Sequence, residues 1–350
     1  MTGPTITIAG RAIGAEHTPF VIAEMSANHN GDLDRAFEIM AAAKDAGAHA
    51  LKIQTYTADG ITIDHDGPGF RIEGGLWDGR TLHDLYDQAH TPWDWHPALF
   101  DKGRELGLMV FSSPFDFAAV DLLESLDAPA YKIASFELVD LPLIRRCAAT
   151  GKPLIMSTGM ADLEDIALAI KAARDAGASE IALLHCTSGY PTPPEDADLR
   201  TIPHLADAFG LVTGLSDHTP GIGTAVAATA LGSALIEKHF TLDRDDGGPD
   251  AAFSLEPAEL AALCADVDIA WRALGRIRYD KSDSEKGNVQ FRRSLYIVTD
   301  LAEGDILTAD NLRSIRPGFG LAPRYWDLLL GKRVNRAVSR GTPMTWELIG

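Results

Sequence analysis

Eight short apolar runs, separated by amphipathic stretches, restrict the fold of this chain more than any other feature of its sequence. Each run is bounded by Gly, Pro or polar residues, which is typical of parallel strands that are buried on both faces. Several of the amphipathic stretches end in Gly, which commonly terminates a helix in a left-handed conformation. The predicted strands are 20–25, 50–56, 108–113, 130–135, 153–158, 181–187, 211–216 and 234–240. The predicted helices are 33–46, 96–106, 117–126, 163–176, 202–209, 223–231 and 257–274.

Eight βα units in roughly 255 residues match the usual size of a closed barrel, so the sequence predicts an α/β fold, a (β/α)8 TIM barrel. An open doubly wound sheet would more often have a Gly-rich turn after its first strand, whereas residues 24–31 read EMSANHNG. Alternating residues around Gly10 predict a hairpin before the barrel. A charged stretch and a turn-rich tail then predict a barrel domain at 1–280, a linker at 281–290 and a small β-rich domain at 291–350.

The charge and the cysteines exclude several classes of protein. The chain has 31 Lys and Arg against 50 Asp and Glu, and its formal net charge of −19 argues against a nucleic-acid surface. It contains no apolar stretch of the roughly 18–20 residues that a membrane span requires. Its N-terminus lacks the basic start and apolar core of a signal peptide. Three scattered cysteines show neither disulfide-framework nor metal-site spacing. We therefore expect a cytoplasmic enzyme that binds neither nucleic acid nor membrane.

The segment 57–92 is too long for an ordinary loop between a strand and a helix. On the catalytic face of a barrel, such a segment is a candidate lid. A surface excursion with its own small hydrophobic cluster explains the composition equally well, and the sequence leaves the two interpretations open.

Polar side chains are concentrated where the predicted strands end, and in a TIM barrel this end carries the active site. Lys52 and Lys132 lie on such strands, and hydroxyl groups follow five of the eight strands. Lysines among serine hydroxyls favour a phosphate or carboxylate ligand. The alternative is a set of internal salt bridges with neighbouring carboxylates, and both interpretations can hold in one site.

His218 and His239 end neighbouring predicted strands, so their imidazoles can converge. Two imidazoles, with water or substrate oxygens, suit a divalent transition metal whose remaining positions are open for chemistry. A strand-end histidine is otherwise more often a hydrogen-bonded structural residue, and spacing alone does not decide between these roles.

Eight sequence motifs, in order along the chain, resemble those of the sialic acid synthase family. They are IAEMSANHNGD (22–32), LKIQTY (51–56), FSSPFD (111–116), YKIASFE (131–137), LIMSTGM (154–160), CTSGYPTP (186–193), GLSDHTPG (214–221) and IEKHFTLDR (236–244). The tail, with RPGFGLAP (316–323) and LLGKR (329–333), resembles the antifreeze-like (SAF) domain that ends these enzymes. The resemblance runs over the whole chain, and eight motifs in the correct order are highly specific.

The resemblance implies a transferase that joins phosphoenolpyruvate to an amino-sugar aldehyde, releases phosphate and requires a divalent metal, Mn2+ or Mg2+. It implies Glu24 as the candidate general base and His218 and His239 as the metal ligands. The residues it assigns to phosphoenolpyruvate are Lys52, Ser113, Lys132, Ser135, Ser157 and Ser216. The residues it assigns to the sugar are Asn28, Gln54, Ser188, Tyr190, Asp217, Glu237 and Arg316.

Three sequence signs resemble the branch of the family that uses 2,4-diacetamido-2,4,6-trideoxy-L-altrose. They are SANHN at 26–30, the string GGLWDGRTLHDLYDQAHTPWDWH at 74–96, and Ser188 in place of an Asn typical of N-acetylneuraminate synthases. The resemblance also implies a domain-swapped homodimer, because Arg316 corresponds to an arginine that reaches the neighbouring subunit's site.

Other functions remain open at this point. A sibling synthase that makes legionaminic or N-acetylneuraminic acid shares the mechanism and differs in the sugar pocket. A Schiff-base keto-acid lyase would use Lys132 or Lys238 as the nucleophile. A sugar- or ice-binding module would rely on the C-terminal domain alone, and it leaves the polar strand ends unexplained.

Overall fold

The computed structural model describes residues 3–350 and divides into two compact units. The first unit extends to Gly275, and the second is Arg276–Gly350. Among the helices of residues 3–350, none combines the length and apolar character that a membrane span requires.

The first unit is a closed barrel of eight parallel strands, so the predicted TIM barrel is confirmed. All eight predicted strands are present, and the predicted N-terminal hairpin is formed by β1 (Ile6–Ile8) and β2 (Arg11–Ile13). The barrel strands are β3 (Phe20–Glu24), β4 (Ala50–Thr55), β5 (Met109–Pro114), β6 (Tyr131–Ile133), β7 (Leu154–Ser157), β8 (Ile181–Cys186), β9 (Val212–Asp217) and β10 (Leu235–His239).

All seven predicted helices are present in the first unit, and the structure adds five short ones, three in the first unit and two in the second. The sequence prediction omitted a helix at Leu141–Ala148, which begins after the Asp140 side chain accepts a hydrogen bond from the Leu143 amide at 3.0 Å. The helices are α1 (Leu33–Asp45), α2 (Ala58–Ile61), α3 (Leu82–Ala89), α4 (His96–Leu106), α5 (Phe117–Ser125), α6 (Leu141–Ala148), α7 (Leu163–Asp175), α8 (Thr201–Phe209), α9 (Gly223–Ala230), α10 (Pro257–Leu274), α11 (Asp283–Lys286) and α12 (Trp326–Leu329).

Two apolar cores hold the barrel together. The larger core lies between the outer strand faces and the helices, as in other α/β barrels. The smaller core fills the lower half of the barrel interior and includes Phe20, Ile22 and Phe111. Ile8 and Ile13 of the hairpin belong to this same core, so the hairpin closes the barrel at the end opposite the strand carboxyl termini.

The segment 57–92, which we call the lid segment, contains the short α2, the helix α3 and a hairpin-like turn between Arg71 and Thr81. Its tip rests against the barrel, since the Trp77 indole nitrogen donates to the Pro249 carbonyl at 3.0 Å. The structure therefore places the segment at the mouth of the barrel, as a lid would be.

The C-terminal unit has a separate core around an antiparallel pair of strands, β11 (Ser294–Ile297) and β12 (Leu312–Ile315). Leu295, Ile297 and Leu312 are fully buried in this core. Isolated bridges extend the pairing beyond the two strands, in keeping with the predicted β-rich domain.

Candidate active site

The strand register aligns the polar residues of four neighbouring strands. His239 of β10 is paired with Glu24 of β3, and Glu24 is paired in turn with Lys52 of β4. On the other side of β10, Glu237 is paired with Ser216 of β9. Because alternate residues of a strand share one face, Glu237 and His239 both face the barrel interior.

Two lysines and two glutamates form a buried charge cluster in the upper barrel. The Lys52 Nζ lies 2.7 Å from Glu24 Oε2 and 3.8 Å from Glu237 Oε1. The Lys132 Nζ lies 3.4 Å from the same Glu237 oxygen. All four side chains are at most 5% exposed, so the charges compensate one another in the absence of water. We name these four residues the charge cluster.

The surroundings shift the pKa values of the two carboxyl groups of the cluster in opposite directions. Burial raises the pKa of Glu24, although Lys52 opposes this effect, and the nearby Glu237 raises it further. Burial also acts to raise the pKa of Glu237, but Lys132 and Lys52 outweigh it and the pKa is lowered. Carboxyl groups whose pKa values separate in this way commonly divide acid and base roles.

The pKa values of the two lysines are also shifted in opposite directions. Burial acts to lower the pKa of Lys52, but Glu237 and Glu24 outweigh it and the pKa is raised. Burial lowers the pKa of Lys132 even though Glu237 opposes it. Lys52 is therefore a permanent cation, and the charge of Lys132 depends on Glu237.

Hydroxyl groups surround the cluster. Ser113 accepts a hydrogen bond from Lys52 at 3.3 Å, and Ser216 donates to Glu237 at 3.2 Å. Ser135 accepts from the Gly159 amide at 3.2 Å, and a side chain at Gly159 would clash with the hydroxyls of Ser135 and Ser188. The Ser157 hydroxyl is buried and has no hydrogen-bond partner among residues 3–350, so it is available to a ligand.

His218 and His239 converge beside the cluster, with ring centroids 5.3 Å apart. The His218 Nδ1 lies 3.0 Å from the Thr187 carbonyl, which can only accept, so the Nε2 of this ring is the nitrogen free to bind a metal. Burial and the neighbouring His218 hold the pKa of His239 well below its usual range, so its imidazole is neutral. Neutral imidazole is the form that ligates metals.

The donor set fits an open metal position. Rings that share one ion at the usual nitrogen distance have centroids roughly 5 Å apart. Within residues 3–350, however, no group of three or more His, Cys, Asp or Glu side chains is arranged to hold a metal ion. His218 and His239 are the residues that could hold a metal here, and water or substrate oxygens would have to supply its other ligands.

Gln54 and Tyr190 also lie at this end of the barrel. The Gln54 amide donates to Glu24 Oε1 at 2.9 Å and to the Ser26 hydroxyl at 3.0 Å, which fixes the carboxyl group of Glu24. The Tyr190 ring packs on His218, with centroids 4.4 Å apart. Ser188 is half-buried beside Cys186, with its oxygen 3.9 Å from the sulfur.

Two of the residues expected to contact the sugar, Asp217 and Asn28, form internal hydrogen bonds. Asp217 lies on the opposite strand face from Ser216, where it accepts from Lys238 at 2.7 Å and from the Thr219 amide at 2.9 Å. Asn28 is fully buried and donates to the Phe240 carbonyl at 2.9 Å. Asp217 faces away from Ser216 because neighbouring residues of a strand alternate between its two faces. Asn28 is buried because the turn after β3 packs against Phe240, which follows β10. Arg316 belongs to the C-terminal unit.

Two acidic residues near the site were not found by sequence analysis. Asp250 is 8% exposed, and its Oδ2 lies 3.9 Å from the His239 Nδ1. Burial raises the pKa of Glu137 to about 7. Asp250 follows β10 by eleven positions in a loop without periodicity, whereas Glu137 stands in the YKIASFE motif, where that motif could have drawn attention to it.

Comparison with known proteins gives two family matches. Residues 39–279 match the NeuB family and residues 292–349 match the SAF domain. The pseudaminic acid synthase of Helicobacter pylori is 41% identical over 93% of this chain and 96% of its own. The N,N'-diacetyllegionaminic acid synthase of Legionella pneumophila is 35% identical over 96% of both chains. The crystal structure of N-acetylneuraminic acid synthetase from Leptospira borgpetersenii, in complex with citrate, has a TM-score of 0.73 and 30% identity over 82% of this chain and 95% of its own.

Proposed function

The chain belongs to the NeuB family, and from this premise we propose that it is a pseudaminic acid synthase. It would condense phosphoenolpyruvate with 2,4-diacetamido-2,4,6-trideoxy-L-altrose to give a nine-carbon nonulosonic acid and phosphate. The observation that carries the reaction class is the buried charge cluster with its hydroxyl groups, directly beside two converging imidazoles.

The lysines and hydroxyls of the upper barrel would bind phosphoenolpyruvate. Its phosphate and carboxylate are multivalent anions, and buried cations with adjacent hydroxyl donors recognise such groups. The free hydroxyl of Ser157 and the short reach from Lys52 to Ser113 support this assignment. The residues proposed to bind phosphoenolpyruvate are Lys52, Ser113, Lys132, Ser135, Ser157 and Ser216.

The reaction forms one C–C bond and one C–O bond to water, and it breaks the C–O bond that joins C2 to the phosphate. The C3 carbon of phosphoenolpyruvate attacks the aldehyde carbon of the sugar, water adds at C2, and cleavage of the C2–O bond releases phosphate. Glu24 is the proposed general base for this water, because burial raises the pKa of its carboxyl group and Gln54 fixes its orientation. Glu237, which stays ionised, would keep Lys132 charged beside the departing phosphate.

His218 and His239 are the proposed ligands of a divalent metal, Mn2+ or Mg2+. When bound, the metal would supply Lewis-acid stabilisation of the negative charge that develops on the aldehyde oxygen. The neutral His239 and the free Nε2 of His218 support this role. The carboxyl group of Asp250 lies 3.9 Å from the His239 Nδ1, which is too far for a direct hydrogen bond, so Asp250 would act on that ring only through its charge.

We further propose a domain-swapped homodimer in which Arg316 of one copy completes the sugar site of the other. Residues 291–350 contain nine Lys and Arg against six Asp and Glu, whereas the whole chain contains 31 against 50. A basic unit in an acidic chain favours docking onto a second copy. Large apolar side chains are exposed in both units and would be covered by such docking; they include Phe136, Met160 and Phe319.

The proposed compartment is the cytoplasm. The three cysteines are free, and free thiols persist in a reducing compartment.

One assay tests the proposal most directly. Phosphate release is measured with phosphoenolpyruvate and each of three sugars: the diacetamido-trideoxy-altrose, the corresponding legionaminic acid precursor and N-acetylmannosamine. Each reaction is run with and without a chelator. We expect turnover with the first sugar, loss of turnover on chelation and recovery when Mn2+ is returned. Turnover confined to another sugar would reassign the chain to a sibling synthase.

A Schiff-base lyase is the second candidate function, favoured by the lowered pKa of Lys132, which makes its amine more nucleophilic. Lys238 is less suited to this role, because it is buried in an ion pair with Asp217. Borohydride trapping with pyruvate, together with activity that survives chelation, would support the lyase and contradict the synthase.

A further inference from the structure

The tip of the hairpin-like turn in the lid segment contacts the barrel through Trp77. Gly74, Gly75, Leu76 and Asp78 at the tip of its hairpin are exposed, whereas Trp77 between them is half-buried. The Trp77 indole nitrogen is anchored on the Pro249 carbonyl, immediately before Asp250. The Trp77 ring therefore packs toward the barrel, whereas its neighbours at the tip are exposed to solvent.

Trp77 lies at the outer end of a row of aromatic rings that leads to the two histidines. Its ring centroid is 5.8 Å from that of Tyr190, which lies 5.3 Å from Phe253. Tyr190 packs on His218, and Phe253 packs on His239 with centroids 4.9 Å apart. We call Trp77, Tyr190 and Phe253 the aromatic wall.

We propose that Trp77 is a specificity-determining residue for the sugar, selecting deoxygenated and acetylated sugars over hydroxylated ones. This inference rests on the proposed function. An aldehyde held beside His218 and His239 directs the remainder of its carbon chain along the aromatic wall toward the mouth. There the C6 methyl group and an acetamido methyl group would contact aromatic carbon, with no polar partner needed.

A hydroxylated competitor would be disfavoured at the same place. N-acetylmannosamine has hydroxyl groups at C4 and C6, and an apolar ring offers them no hydrogen-bond partner. The Trp77 indole N–H, the one polar group of that ring, is already donated to Pro249. A pocket of this kind discriminates by about 10- to 100-fold per hydroxyl, because an apolar surface rejects hydroxyl groups only moderately.

The chain offers a matched control for Trp77. Trp93, near the other end of the lid segment, also donates its indole N–H to a carbonyl, that of Tyr56, at 3.0 Å. It is half-buried like Trp77 but is not part of the aromatic wall. A Trp93→Phe variant therefore loses the same kind of hydrogen bond, just beyond the end of the lid segment, without altering the wall.

The test compares kcat/KM for the diacetamido-trideoxy-altrose and for N-acetylmannosamine in the wild-type enzyme and in Trp77→Ala, Trp77→Phe and Trp93→Phe. In Trp77→Ala we expect a loss of about 10- to 100-fold for the first sugar, mostly in KM, and a smaller loss or a gain for the second. The KM of phosphoenolpyruvate should change less than twofold. Trp77→Phe should retain most of the preference, and Trp93→Phe all of it.

Several results would overturn the inference. Equal loss for both sugars in Trp77→Ala, an equal rise in the KM of phosphoenolpyruvate, or the same shift in Trp93→Phe would each show a merely structural role for Trp77. The proposed function fails separately, if the wild-type enzyme does not use the diacetamido-trideoxy sugar. The inference fails as well only if the wild-type enzyme uses N-acetylmannosamine alone, because an enzyme that uses only a hydroxylated sugar contradicts the proposed selection.

Discussion

Replacing Glu237 by Gln removes the carboxylate on which the charge of Lys132 depends, while it keeps the shape of the side chain. At an effective dielectric constant of about 20, the 3.4 Å separation from Lys132 and the 3.8 Å separation from Lys52 correspond to attractions of about 5 and 4 kcal/mol. The desolvation of Glu237 offsets much of this sum. Removing one partner of a buried ion pair typically costs about 3–5 kcal/mol, and we expect the free energy of unfolding to fall by this amount.

The loss should depend on pH in a defined direction. Burial already lowers the pKa of Lys132, and without Glu237 that pKa falls further. Between the folded and the unfolded pKa the unfolded chain then binds more protons, so the stability of Glu237→Gln recovers as the pH rises toward the unfolded pKa of lysine. Urea unfolding followed by circular dichroism at pH 7 and pH 9 measures this recovery.

The matched control is Asp217→Asn, which breaks the second buried ion pair of the barrel, 2.7 Å from Lys238. Both variants should lose stability, but only Glu237→Gln removes the carboxylate that keeps Lys132 charged at the proposed anion site. Calorimetry at pH 7 should therefore show phosphoenolpyruvate binding to Glu237→Gln about tenfold more weakly than to the wild type, equivalent to about 1.4 kcal/mol. Asp217→Asn should bind it with wild-type affinity. Unchanged stability of Glu237→Gln, or the same affinity in both variants, would refute the reasoning about the charge cluster.

Three further predictions concern the metal, the second subunit and the buried carboxyl group of Glu137. Replacing His218 or His239 by Ala should abolish turnover and the thermal stabilisation by Mn2+; full activity in either variant would refute the metal assignment. Replacing Arg316 by Ala should raise the KM of the sugar more than that of phosphoenolpyruvate, and an unchanged sugar KM would contradict the swapped dimer. Because burial raises the pKa of Glu137 to about 7, its ionisation destabilises the fold as the pH rises from about 4.5 to 7. Glu137→Gln should therefore gain up to about 3 kcal/mol relative to the wild type across that window in urea unfolding, and a constant difference would argue against a buried carboxyl group.

The barrel could be predicted because its strands are buried on both faces and therefore appear as uninterrupted apolar runs. The helix at Leu141–Ala148 was missed because its eight residues mix apolar and basic side chains over barely two turns. Its signals were local ones: Asp140 as the capping residue and Pro142 in the first turn.

Sequence analysis could place only those site residues that lie on the barrel strands, because alternation there determines which face of the strand each side chain occupies. Lys52, Glu237 and His239 face the interior because they lie on strands of fixed register. The loops follow no such rule: Asp250 approaches His239 through a turn, and the position of Trp77 depends on a hydrogen bond to a carbonyl more than 170 positions away. Such contacts are set by the folded surface as a whole, so local sequence pattern does not reveal them.

The hairpin closes the lower end of the barrel, so a ligand would reach the charge cluster from the upper end. Lys52 and Lys132 are at most 3% exposed at the floor of the upper barrel, whereas Tyr190 and Trp77 border its mouth. Ligands that bind one above the other and enter from the same end must leave in the reverse order of their binding. In the proposed reaction the anion must enter before the sugar, and the phosphate it leaves behind stays trapped until the nine-carbon acid has departed, so added phosphate should compete with phosphoenolpyruvate and not with the sugar.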